Sequence, residues 1–97
     1  MTSPPANIVQ YARNVIASVN WTRLEFLCDI SEESFCYCTE VNEYYTDPEK
    51  GIYRILSDAR FLRQTVNRGV RTVTANYRRN KIQERIAEVG PRAPIEL

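Results

Sequence analysis

The stretch 46–91 constrains this 97-residue chain more than any other feature. It opens on Thr46-Asp47-Pro48-Glu49. Thr46 and Glu49 have the spacing of a capping box, and Asp47 is an alternative cap with a proline at the first helical position. It closes on Gly90-Pro91, where glycine can take a left-handed cap and proline cannot continue a helix. Between these signals the apolar residues Ile52, Leu56, Ala59, Leu62, Val66, Val70, Val73 and Tyr77 step by three or four. That is a heptad-like stripe of the coiled-coil kind, with Phe61 on the opposite face. An unbroken helix over residues 48–89 would be about 63 Å long at about 1.5 Å per residue. A compact chain of this size has a radius of gyration of about 13 Å.

The helix must therefore break, or protrude and find a partner. Gly69 is one candidate break, costing about 1 kcal/mol relative to alanine and followed by the β-branched stretch 70–74. The other lies near Arg79-Asn80. Beyond that point Ile82, Ile86 and Val89 sit more than about 100° around the helix from the earlier stripe. On that phase, residues 78–89 form a partner-contacting surface and add little to the intramolecular core.

The first half of the chain reads as two or three shorter helices. Pro4 and Pro5 suit a helix start with Ser3 as cap, and Ile8, Ala12, Val15 and Val19 recur at helical spacing up to a stop near Asn20. Thr22 and Glu25 have capping-box spacing ahead of Leu24, Leu27 and Cys28. Ser31 can cap a third helix, with Glu32 and Glu33 favouring its dipole and Phe35, Cys38, Val41 and Tyr45 on one line. Residues 22–45 also admit a β-hairpin, with 31–34 as its loop; the helical reading is preferred. The expected fold is all-α: a single domain over 1–97, with two or three short helices packed on one long amphipathic C-terminal helix, straight or kinked. Residues 1–5 form a leader and 91–97 a loose tail.

Histidine is absent, which removes Ser-His-Asp and Cys-His catalysis and histidine-ligated metals. Three glycines form no phosphate-binding or nucleophile-elbow motif. Cys28, Cys36 and Cys38 are an odd set, and the Cys36-x-Cys38 spacing is too tight for an ordinary zinc pair. They read as reduced core residues. No catalytic residue, metal or cofactor is expected. No apolar run approaches the roughly 18 residues of a membrane span, and the opening residues lack a signal-peptide pattern, so the expected location is the cytoplasm.

The net charge of +1 hides an asymmetry. Residues 1–50 hold three basic and eight acidic side chains, and residues 51–97 hold ten and four. The halves thus attract each other, pair with a copy, or leave the basic half for an anionic partner. Arg71, Arg78 and Arg85 repeat every seven residues, with Arg60, Arg63 and Lys81 nearby. Pairing of this arginine stripe with acids of the first half, such as Glu32, Glu33, Glu40 or Glu43, is the plainer reading. Tyr37, Tyr44, Tyr45 and Tyr53 gather at the junction of the halves. The expected function is non-catalytic protein–protein interaction, as an adaptor, regulatory or assembly factor that forms a homo-oligomer. The partner is another protein of acidic character. It meets Arg71, Tyr77, Arg78, Arg79, Lys81, Ile82, Arg85 and Ile86. The runner-up is a nucleic acid lying on the arginine stripe.

Overall fold

The computed structural model describes residues 4–38, 46–69 and 73–89. They form five helices: α1 (Ala6–Ser18), α2 (Trp21–Cys28), α3 (Glu32–Cys38), α4 (Pro48–Arg68) and α5 (Val73–Val89). The all-α fold stands, and residues 21–28 and 32–38 are helices rather than the strands of a hairpin. Residues 39–45 lie outside the described set.

Local chemistry explains most helix ends. Asp47 caps α4 by accepting from the Lys50 amide at 3.3 Å, with Pro48 opening the first turn. Ser31 Oγ accepts from the Ser34 amide at 3.1 Å and caps α3. At α2 the capping-box expectation fails: the cap is Asn20, whose side chain accepts from the Arg23 amide, and the helix starts ahead of Thr22. Asn20 sits closer to the end of α1, so the chain turns sooner. α1 starts after Pro5 with no side-chain cap, and Ser3 lies outside the described residues. The bend between α2 and α3 runs through Asp29, a non-glycine residue at φ 57°. Aspartate tolerates this left-handed geometry better than most residues.

The long C-terminal helix breaks at Gly69. Glycine there has φ 60°, and its amide donates to the Thr65 carbonyl at 3.0 Å to close α4. The second candidate break does not form, because α5 runs through Arg79 and Asn80 without interruption. A Cβ added at Gly69 would meet nothing within 4 Å, so backbone strain alone resists substitution. Gly69→Ala is expected to destabilise by about 1 kcal/mol, the left-handed penalty outweighing the lower entropy of the unfolded chain. The shift of the chemical-denaturation midpoint measures it, and a gain in stability would show that the turn relaxes elsewhere.

α4 is the central element. α1 and α2 pack on it, while α5 packs on α3. The stripe of α4 is real as far as the break: Ile52, Leu56, Ala59 and Leu62 are buried, together with Ile55. They meet Ala12, Val15, Ile16 and Val19 from α1 and its end, and Leu24, Cys28, Ile30 and Phe35 from α2 and α3. Trp21 stands 5.6 Å from Phe35, ring centroid to centroid, and its indole N–H donates to the Ile16 carbonyl at 2.8 Å. The stripe does not continue past the break. Val66 is half-buried, Val73 is 88% exposed and Tyr77 is 65% exposed; Val70 lies outside the described residues. Phe61 is not on an open opposite face: it is half-buried against the core, under a guanidinium.

The expectation that residues 78–89 add little to the core is overturned. Ile82 is fully buried and Ile86 packs against the same cluster. A helical phase carries across residues 48–89 only in one continuous helix. Once the chain turns after Gly69, α5 is free to rotate about its own axis and bring these residues inward.

Candidate functional site

α5 leans on α3 and reaches α4 through long side chains, which leaves a cleft of about 530 Å³ between α4 and α5. At about 100° per residue, Tyr77, Lys81, Glu84, Arg85 and Glu88 share one side of α5, whereas Ile82 and Ile86 turn toward the core. One helix thus serves two roles: an apolar face inward, and a charged face along the cleft.

The floor is Asp58, 1% exposed and the one buried charged residue among those described. Arg85 Nη2 donates to its Oδ2 at 2.7 Å, and Arg78 Nη2 lies 3.5 Å from its Oδ1. Arg78 also donates to Ser57 Oγ at 2.6 Å, and its guanidinium lies over the Phe61 ring at 4.9 Å. Burial pushes the Asp58 carboxyl above its ordinary pKa, while Arg85, then Arg78 and Arg54, pull it back. Both carboxylate oxygens are engaged and the group is out of solvent, so it ties α5 to α4 rather than meeting a reactant.

The rim is open. Tyr77 and Lys81 are exposed, with the ammonium 5.6 Å from the ring centroid, and Lys81 also pairs with Glu84 at 3.6 Å. The side chain of Arg78 is 39% exposed, and only its Nη2 is used by Asp58 and Ser57. A guanidinium carries five N–H donors, so Arg78 has capacity for an incoming carboxylate or phosphate.

Of the residues expected at a binding surface, Tyr77, Arg78, Lys81 and Arg85 come together along the cleft. Ile82 and Ile86 belong to the core, Arg79 faces away and donates to Asn80 at 3.2 Å, and Arg71 lies outside the described residues. The acids expected to pair with the arginine stripe are Glu32, Glu33, Glu40 and Glu43; Glu40 and Glu43 lie outside the described residues, and within them Arg78 and Arg85 meet Asp58, which is not among the expected acids. Its position was a signal: it falls on the apolar side of α4, three residues after Ile55 and four before Leu62. An acid there must find a cation from another element.

Among the described residues no group of three cysteine, aspartate or glutamate side chains is placed to hold a metal ion. Cys28 is a buried cysteine thiol. Among the same residues no helix is long and apolar enough to cross a membrane. No protein-family model matches the chain, and neither does any curated protein or any solved structure.

Proposed function

We propose that this chain is a small non-catalytic protein–protein interaction module, an adaptor or assembly factor of the cytoplasm, that takes an acidic segment of its partner into the α4–α5 cleft. The observation that carries this reading is the juxtaposition of Tyr77, Arg78 and Lys81 on an open rim above a floor whose acid is already neutralised. An exposed aromatic ring beside cationic donors is the composition of a binding hot spot for carboxylates. Self-association was expected because a 63 Å helix (about 1.5 Å per residue) would protrude. The helix breaks at Gly69, and the radius of gyration is 12.8 Å, close to the roughly 13 Å of a compact single domain. The reading therefore puts the partner in the cleft rather than along a seam between copies. A nucleic acid on the C-terminal arginine stripe would need Arg85, whose side chain is 20% exposed, released from Asp58.

The test is titration of a short fluorescein-labelled polyglutamate peptide, followed by anisotropy. Tyr77→Ala with Lys81→Glu should weaken binding about tenfold or more, equivalent to about 1.4 kcal/mol, while the melting temperature holds because both side chains are exposed. Equal binding by the variant removes the cleft as the site.

A further inference from the structure

The cleft uses one side of α4. The opposite, solvent-facing side has a different character. Residues 1–24 contain no acid, and neither do residues 59–83; the fold lays the first stretch, as α1, against α4 where the second begins. Over the part of α4 from Tyr53 onward the sole acid is Asp58, and it is buried. Its exposed residues are Tyr53, Arg54, Ser57, Arg60, Gln64, Asn67 and Arg68, with Arg63 at the margin; Arg54 lines the cleft, Ser57 meets Arg78, and Tyr53 stands at the end of this surface beside Asp47 and Glu49. Arg60 lies about 160° and Arg63 about 140° around the helix from Asp58; Arg68 lies about 80° around but about 15 Å further along the axis, so this surface is separate from the cleft. Arg60 to Arg68 spans about 12 Å of helix.

Two of these cations are held in place from α1. The Arg60 guanidinium stands 5.0 Å over the exposed Tyr11 ring, and Arg63 Nη1 donates to Ser18 Oγ at 3.2 Å. We infer that this outer face of α4, with Arg60, Arg63 and Arg68 as its cations and Tyr11 and Tyr53 as stacking planes, binds the phosphate backbone of a nucleic acid.

A protein partner fits this face poorly. Protein interfaces are built around a buried apolar centre. Here, among the described residues, the exposed side chains are arginines, amides and hydroxyls, and the large exposed apolar groups are the tyrosine rings. Arginines position phosphates, amides and hydroxyls donate to phosphate oxygens, and tyrosine rings stack on bases whatever their identity. With three phosphate contacts the affinity falls steeply with salt: raising it from about 50 to about 200 mM should cost roughly 20-fold for a single strand and roughly 40-fold for a duplex.

The experiment titrates labelled single-stranded and duplex oligonucleotides into the full chain at low and high salt, with the polyglutamate peptide in parallel. The expected result is binding of one or both oligonucleotides with that salt loss. Arg60→Glu with Arg68→Glu should weaken it at least tenfold and flatten the salt slope, while Lys81→Glu leaves it unchanged. The glutamine versions, Arg60→Gln with Arg68→Gln, serve as a milder pair, and circular dichroism checks that each variant is folded. The inference is overturned by absence of oligonucleotide binding at low salt, by equal binding in the folded double variants, or by loss on Lys81→Glu instead. It is also overturned if polyglutamate binds as tightly and responds identically to the α4 substitutions, since the face would then suit an acidic protein. Failure here leaves the cleft untouched, because that reading is measured with the peptide and the Tyr77 and Lys81 variants.

Discussion

Ile82→Ala is expected to destabilise the protein by about 2–5 kcal/mol, the range for truncating a fully buried isoleucine. The side chain has no solvent exposure and belongs to the one core cluster, and Ile86 packs beside it. α5 has other attachments among the described residues. Its sequence is strongly polar, and its attachment rests on α3, on the ties to Asp58, and on Gln83 Nε2, which donates to the Cys28 carbonyl at 2.5 Å. Removing three carbons from Ile82 opens a cavity where α5 meets the rest of the molecule. The denaturant midpoint should fall, with a loss of melting temperature of roughly 10 °C or more for a chain of this size. Alanine at Ile82, Ile86 and Arg85 together should melt the protein further. An unchanged melting temperature in the triple variant would return residues 78–89 to the role of a free surface.

That contrast shows where the sequence was readable. Asp47-Pro48, the Ile52-to-Leu62 stripe and Gly69 are local signals, and each acts through its own neighbourhood: a cap, a helix face, a left-handed residue. The phase of α5 is not local. Its rotation is set by the short connection after Gly69 and by the surface α3 offers, so counting 100° per residue across the break has no physical basis (about 100° holds only within one helix). The start of α2 was misread because two capping patterns lie within a few residues, and the tight turn after Ser18 selects Asn20. At the cleft, helical spacing sufficed to group Tyr77, Arg78, Lys81 and Arg85. It could not select their acid. The sign asymmetry between the halves points to the N-terminal glutamates, of which Glu40 and Glu43 lie outside the described residues, whereas the acid that Arg78 and Arg85 meet within them is Asp58, inside the basic half. Charge totals weigh every acid equally; burial does not.

Asp58 should therefore be the most sensitive polar residue in the chain. Asp58→Ala removes an acceptor of Arg85, whose side chain is 20% exposed, and one of the more exposed Arg78. Breaking a buried pair from one side costs about 3–5 kcal/mol because the surviving charge is stranded, and the partial exposure of both arginines places this case near 3 kcal/mol or somewhat below, as an order of magnitude. Asp58→Asn keeps an oxygen for Arg85 and should cost less. The pair of variants also fixes a pH dependence. Burial raises the Asp58 pKa above its ordinary value of 3.8, against the pull of Arg85, Arg78 and Arg54. The folded state then holds the proton more tightly than the unfolded chain. The contribution of this group to stability is greatest below 3.8, declines as pH rises from there through the folded value, and is constant above it. Asp58→Asn has no such proton, and other carboxylates cancel in the comparison. Wild type should therefore lose ground to the Asn variant as pH increases across that window, measured as the difference between their denaturant midpoints. If wild type gains ground instead, the three arginines outweigh burial at this site, and the tie between α4 and α5 is strengthened by ionisation rather than strained by it.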